Sequence, residues 1–300
     1  MNTIVKYGLI AAMKLLSIQV LLLFIFTSCE KLNPTEPIPA YIKINSFTIS
    51  DSNLVGTKSE RITDAWVTHN GNILGVFELP ALVPIIPEDS NQIFLKAGVM
   101  SNGIVETRVA YPFFLPYIEN IDLSPEVTTL ISPEVAYRSD DQMEILYENS
   151  FESDSIRVDI LTLSHIEPKF STEEVFEGSK ALHLGLTGDQ GDSLAQFIMS
   201  DPFTYPLTSG DPAVMLEMNY KCDHNFSIGV YLDNGPDQEL RRFLTIKSTN
   251  GAWKKNYFNL RGTMSALEYV QHRFTVEALL NKDSTAANIF IDNIKILSTK

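Results

Sequence analysis

The 300-residue chain has little cysteine, little positive charge and few helix signals. Its two cysteines, Cys29 and Cys222, cannot build a disulfide framework, so the folded part rests on an apolar core. Cys222 ends the strand-like run Met218-Asn219-Tyr220-Lys221-Cys222 and reads as a small buried hydrophobe rather than a nucleophile. Lys and Arg number 23 against 37 Asp and Glu. An acidic surface repels phosphates, which excludes nucleic acid as a partner and a basic membrane-binding face. Helix signals reduce to Thr263–Val270, enough for two turns. The motifs of common catalysts are missing too. There is no Gly-x-Ser-x-Gly, no His-Glu-x-x-His, no Cys-x-x-Cys and no phosphate-cradling glycine loop. His69, His165, His183, His224 and His272 are scattered without ligand spacing. Adjacent carboxylates such as Glu173-Glu174 read as solvated, which does not support a glycosidase. A non-catalytic protein is expected.

What the chain does have begins at its start. Lys6 and Lys14 flank the apolar run Leu15–Phe26, and Thr27, Ser28 and Cys29 follow. The run has the length of a secretory hydrophobic region and is short for a membrane span. The polar tract Glu30–Pro37 comes next, which disfavours a membrane helix. This pattern resembles the lipobox of bacterial lipoproteins, with Phe26 where Leu is usual and Ser28 where Gly or Ala is usual. The resemblance implies a signal peptide over 1–28 and a diacylglyceryl group on Cys29, which becomes the new N-terminus. Several acyl chains anchor durably, so the membrane contact is the lipid. A simple cleaved signal is the alternative. Met13-Lys14 competes with Met1 as the start of translation. Glu30, in place of Asp, is not the familiar inner-membrane retention signal, so the expected address is the outer membrane, on its periplasmic or surface side.

Pro34, Pro37 and Pro39 make residues 29–39 an extended tether. Residues 40–117 then read as a small β domain. Tyr41–Ile49 alternates with period two. Ala65–His69 and Ile73–Leu79 flank Asn70-Gly71, the pair that suits a type I′ hairpin turn. Ile93–Val99 and Gly103–Val109 flank a second turn at Asn102-Gly103. The hairpin with Gly75, the following Leu79-Pro80 and the later Gly98 resemble PEGA-type β domains of bacterial surface proteins. That likeness implies a spacer or protein-contact module. Tyr111–Tyr117 carries two prolines and five large apolar side chains. It reads as a packed interdomain segment or, alternatively, a partner-binding ridge. Residues 118–142 read as a connecting segment holding short strand-like pieces at Val127–Ile131 and Val135–Tyr137.

Residues 143–300 form the second module. Strand candidates are Glu144–Tyr147, Ile156–Leu163, Ala181–Thr187, Leu194–Met199, Ala213–Lys221, Phe226–Asp233, Phe243–Lys247, Trp253–Leu260, Phe274–Leu280 and Asn288–Leu297. Turn signals between them, such as Asp233-Asn234-Gly235-Pro236, mark a sandwich. Ser150-Phe151-Glu152, Phe176–Leu184, Gly251–Lys255 and Ile289–Ile296 resemble the corresponding parts of jelly-roll sandwiches that include many carbohydrate-binding modules. The expected fold class is all-β, a small N-terminal β-sandwich followed by a larger C-terminal jelly-roll β-sandwich. The resemblance also implies a structural calcium joining first and last strands, with Glu152 and Asp292 at the matching ends. A plain bulge at Asp292-Asn293 and an exposed Glu152 are the alternative.

A sugar site needs aromatic faces for pyranose rings and polar groups at its rim. Tyr220, Tyr231, Trp253 and Tyr257 are the candidates, and core packing is the competing role, above all for Trp253 beside Gly251-Ala252. Tyr220 and Tyr231 share a sheet face if their strands pair through Asp223-His224-Asn225. Gly191-Asp192-Ser193-Leu194 spells the motif of GDSL esterases but lacks the downstream Asp-x-x-His, so it reads as coincidence. Two partners fit: a polysaccharide held by the jelly roll, or another envelope protein met by Tyr111–Tyr117 or a sheet edge.

Overall fold

The computed structural model describes residues 36–300 apart from 162, 163, 165, 189–192, 205–212, 234, 237 and 265–270, and before them residues 8, 13–17 and 19. Cys29, the Gly191-Asp192 pair and most of the helix expected at Thr263–Val270 lie outside the described residues. The fold is all-β, as the alternation predicts.

The first part contains β1 (Ala40–Ile44), β2 (Thr48–Ile49), β3 (Asp64–His69), β4 (Asn72–Glu78), β5 (Ala81–Ile85), β6 (Gln92–Met100), β7 (Arg108–Ala110), β8 (Tyr117–Asn120), β9 (Thr128–Ile131) and β10 (Glu134–Val135). One sheet has the order β5-β1-β9, and another β4-β3-β6-β7 with β8 also on β6. The Asn70-Gly71 hairpin is present. Both residues have positive φ, 47° and 82°, and His69 pairs with Asn72. Asn102-Gly103 also turns with positive φ, but residues 103–107 stay out of the ladder. Ser101 N–H reaches the Thr107 carbonyl across this wider loop before β7 begins. β5 carries Pro84, which lacks a ladder donor, and accordingly β5 is an edge strand, paired among the described residues with β1 alone. Strands β8, β9 and β10 pair with β6, β1 and β2.

The second part contains β11 (Met143–Asn149), β12 (Val158–Ile160), β13 (Lys169–Ser171), β14 (Ala181–Thr187), β15 (Leu194–Met199), β16 (Val214–Cys222), β17 (Phe226–Asp233), β18 (Gln238–Ile246), β19 (Lys254–Asn259), a short helix α1 (Arg261–Met264), β20 (Gln271–Leu279) and β21 (Ala286–Thr299). They make a sandwich. One sheet runs β13-β14-β21-β16-β19, with β11 also on β21, and the other runs β12-β15-β20-β17-β18. Alternate residues of each strand face inward, as a pleat requires. Leu182, Leu184, Leu216, Met218, Phe226, Val230, Phe274, Ile289 and Ile291 all belong to the core between the sheets.

The other face of the β16 sheet is buried as well. Met215, Tyr257 and Leu297 point away from the sandwich and join the core of the first part, with Ile42, Val67, Leu95 and Phe113. Tyr111, Phe113 and Phe114 are buried there, so the Pro112–Pro116 stretch is a packed segment between the two parts. Among the described residues no helix is long and apolar enough to cross a membrane.

Candidate functional site

With one sheet face covered by the first part, the open face of the sandwich belongs to the β12-β15-β20-β17-β18 sheet. On β20 and β17 most of its outward positions are polar, with exposed Leu279 at the end of β20. Arg273, Thr275 and Glu277 interleave with inward Phe274 and Val276 on β20, and Tyr231 does the same beside Val230 on β17. Register puts Tyr231 beside Arg273 and Ser227 beside Glu277. The Arg273 guanidinium lies 5.2 Å from the centre of the Tyr231 ring and bonds Asp159 at 2.9 Å. Arg242 on β18 reaches across β17 and grips Glu277 with two bonds of 2.6 and 2.8 Å. Gly229 sits between them in register with both Arg242 and Thr275. A Cβ there would overlap the Arg241 carbonyl, so only glycine admits this close approach at the β17 bulge. Gln196 on β15 completes the row by donating to Glu277. Arg242 holds the Glu277 carboxyl below the usual carboxylate range against the effect of burial. The result is a strip of guanidinium, carboxylate, amide and phenol groups fixed by one another. Such planar groups match pairs of adjacent sugar hydroxyls, and the Tyr231–Arg273 stack offers a flat platform.

The four aromatic candidates do not share a face. Tyr220 and Tyr231 stand in opposite sheets, because β16 pairs with β19 and β21 while β17 pairs with β18 and β20. Tyr220 points into the sandwich, packs edge-on against Phe226 and accepts a 2.6 Å bond from Asn256 Nδ2. Tyr257 points the opposite way, under the first part, where its hydroxyl accepts from Arg61 N–H at 3.2 Å. Trp253, half-buried, meets Phe176 edge-on at 5.7 Å. Only Tyr231 stands on the open sheet. Arg242, Arg273, Glu277 and Gln196 were not singled out from the sequence, although the polar–apolar alternation of Gln271–Leu279 marks which of them face outward.

Glu152 and Asp292 converge on the turn at residues 176–180. β21 passes from β14 to β11 at Asp292, and the strand bulges there, with Asn293 at φ 51°. Glu152 follows β11 closely in sequence. Asp292 is fully buried, and its Oδ2 accepts the N–H groups of Phe176 and Glu177, both at 3.2 Å. Among the described residues its Oδ1 has no hydrogen-bond partner. Burial pushes the Asp292 carboxyl up to about 6. Glu152 accepts from Ser179 Oγ, Ser179 N–H and Lys180 N–H, which hold its carboxyl below the usual range. A hard divalent cation with backbone carbonyls as further ligands suits an orphaned carboxylate oxygen beside a second carboxylate. Among the described residues no group of three or more acidic, His or Cys side chains stands poised for a metal, so carbonyls would have to supply the rest.

A third cluster, also unmarked by the sequence reading, fills the junction. Glu217 is fully buried and meets Lys255 at 2.6 Å and Lys295 at 3.3 Å. Tyr111 and Tyr137 of the first part donate to it at 2.6 and 2.9 Å. The lysines in turn donate to carbonyls of the first part, Lys255 to Ser59 and Lys295 to Val55. Burial works against ionising Glu217, yet Lys255 and Lys295 hold its carboxyl at about 2. Burial also lowers Lys255 to about 8, against the pull of Glu217. The cluster is buried and its members bond to groups of both parts, so it binds the two parts to each other.

No protein-family model and no curated protein matches the sequence. Solved structures do match. The N-terminal tandem of family 22 carbohydrate-binding modules of Paenibacillus barcinonensis Xyn10C is 15% identical, with a TM-score of 0.36, over 54% of this chain and 47% of that one. This chain thus spans about half the length of that tandem. The C-terminal family 22 carbohydrate-binding module of Clostridium thermocellum Xyn10B is 14% identical, with a TM-score of 0.35, over 52% of this chain and 92% of that one. A structure described as carbohydrate-binding modules from the β-sandwich superfamily, with promiscuous specificity, is 10% identical, with a TM-score of 0.37, over 88% and 99%.

Proposed function

We propose that this chain is a non-catalytic cell-envelope lipoprotein that binds a glycan on the open face of its second sandwich. The observation that carries the binding reading is the strip formed by Tyr231, Arg273, Arg242 and Glu277, with buried Gln196 bracing Glu277. These groups are pre-positioned by mutual bonds on strands, so a sugar meets them without the cost of ordering loops. The anchoring reading rests on the leader, Cys29 and the Pro-rich tether, and the outer membrane is its expected address. Mass spectrometry of the native N-terminal peptide tests it: an acylated Cys29 supports the anchor, and an unmodified residue elsewhere removes it.

The glycan reading is tested by titrating the full chain with neutral plant and bacterial oligosaccharides. Tyr231→Ala loses about 1–3 kcal/mol of binding, the loss expected when a pyranose gives up an aromatic platform. Unchanged affinity in that variant, or no binding by any neutral oligosaccharide, overturns the reading. The same proposal includes a structural calcium held by Asp292 and Glu152. Added calcium should raise the melting temperature of the wild type and leave Asp292→Asn unmoved. An equal midpoint with calcium and with chelator removes the metal.

A second reading, an assembly component docked to another envelope protein, is favoured by one observation on the first part. Leu82 on β5 and Leu130 on β9 are 55% and 60% exposed and flank Lys43 of β1 in register. Paired exposed leucines on an outward sheet face suit a protein contact. Crosslinking in intact cells that depends on Leu82 and Leu130, and survives Tyr231→Ala, would favour it.

A further inference from the structure

Where the first part abuts the open edge of the sandwich there is a cleft of about 370 Å³. Arg61, Asn256, Lys254, Lys247 and the buried Tyr220 are among the residues that line it. Not one of the residues that line it is acidic. That is a marked local reversal in a chain of net charge −14. The open sheet face, by contrast, carries Glu277, Asp159 and Asp233. We propose that this cleft is a separate binding site for the carboxylate-bearing ring of an acidic saccharide, such as a uronate.

The polar groups are built in and partly unspent. Asn256 acts as a bracket. Its Oδ1 accepts from Arg61 Nη1 at 2.6 Å while its Nδ2 donates to Tyr220 at 2.6 Å. Arg61 Nη1 also reaches the Lys255 carbonyl at 3.4 Å. These contacts fix the guanidinium but, among the described residues, use only one of its nitrogens, which leaves the remainder of the fork for a bidentate carboxylate. Tyr220 accepts a bond and, among the described residues, donates none, so its hydroxyl proton is available to the same ligand. Lys247 and Lys254 have no carboxylate partner among the described residues. Uncompensated cations around a cleft raise the local concentration of an anion. Leu244 and Ile104 supply the apolar surface that a sugar ring needs and a bare inorganic anion does not.

The first part completes the site. Asn102 N–H donates to the Tyr257 carbonyl at 2.7 Å, and Asn259 N–H donates to Asn102 Oδ1 at 2.9 Å. The Asn102-Gly103 turn is thereby fastened to β19, with Gly103 so close to Asn256 that a Cβ would lie 2.8 Å from its Nδ2. The glycine at this turn thus serves two demands, a φ of 68° and the close wall of the cleft.

The choice of a sugar as ligand rests on the glycan reading above, but the site and its test are independent of the sheet face. The full chain is titrated calorimetrically with trigalacturonate and with a neutral trisaccharide of the same length. The uronate is expected to bind more tightly, with affinity falling as salt rises. Arg61→Gln should weaken it about tenfold or more, the usual cost of losing a charged hydrogen-bond pair. Lys254→Gln, on an exposed side chain whose loss leaves folding intact, should weaken it less and flatten the salt dependence. Tyr231→Ala should leave it unchanged. Equal binding of charged and neutral sugars, no uronate binding, or wild-type affinity in both cation variants overturns the proposal. Uronate binding lost only in Tyr231→Ala moves the ligand to the sheet face, sinks this site and leaves the glycan reading standing. Uronate binding lost with Arg61, with no neutral sugar bound anywhere, does the reverse.

Discussion

Single side chains decide how the two parts hold together. Glu217 carries one negative charge between two buried ammonium groups, and every one of its contacts is a charge-assisted or phenolic hydrogen bond. Removing one member leaves the others buried without compensation, which costs more than the intact cluster contributes. Glu217→Gln is therefore expected to destabilise the protein by about 3–5 kcal/mol in urea unfolding. A loss below about 1 kcal/mol would mean that water enters the junction and screens the charges. His272 provides the second residue-level test. It is buried in β20 beside Phe203, and burial lowers its ring to about 4. An unfolded histidine takes up its proton near 6.5, so the unfolded state binds more protons between these values. Stability should fall as the pH drops from about 6.5 to about 4, by up to about 3 kcal/mol from this ring alone. In His272→Leu that part of the acid slope should vanish from melting curves recorded against pH.

At the level of elements, two glycines separate conformational cost from steric cost. Gly71 has a φ of 82° with open space around its missing Cβ. Gly71→Ala should cost only the left-handed strain, about 1–2 kcal/mol. Gly229→Ala places a methyl on the Arg241 carbonyl and should cost clearly more, while prying Arg242 off Glu277. Comparing the two variants in urea tests both statements, and equal losses would contradict them. The same scale shows what alternation makes legible. Ala181–Thr187, Leu194–Met199 and Phe226–Asp233 are strands over the spans expected, because each turns alternate apolar side chains into the core between the sheets. β5 escaped notice, since Pro80 and Pro84 mask an edge strand that needs no donor at those places. Short β13 and the early part of β18 carry too few inward residues for periodicity to register. Gly103–Val109 alternates yet forms mostly loop, because Asn102 is tied to β19 instead of to a hairpin partner. The open sheet strip escaped for a different reason: Arg242 and Glu277 are distant in sequence and meet only through the register of three strands. One signal for the junction was present. Glu217 interrupts the apolar run Ala213–Met218, and a charge inside a doubly buried strand demands a buried partner.

For the molecule as a whole, the shared core matters most. Met215, Tyr257 and Leu297 belong to strands of the sandwich but pack with the first part, and the Glu217 cluster lies among them. Interfaces inside a chain are usually more polar and permit relative motion. Here an apolar rim around saturated charges argues for one cooperative unit. Calorimetry should give a single melting transition whose calorimetric and van't Hoff enthalpies agree. Residues 143–300 alone, with Glu217, Lys255 and Lys295 opened to water along with their apolar neighbours, should melt at a lower temperature. Two resolved transitions in the full chain would show that the parts fold separately. The first strand after the proposed tether adds a mechanical corollary. β1 begins at Ala40 and is bonded along both edges, antiparallel to β5 and parallel to β9. A tug on the preceding residues runs along its axis and strains those bonds together, in shear, instead of unzipping them one at a time. A body towed by its leading segment through viscous surroundings would thus bear load at its strongest angle.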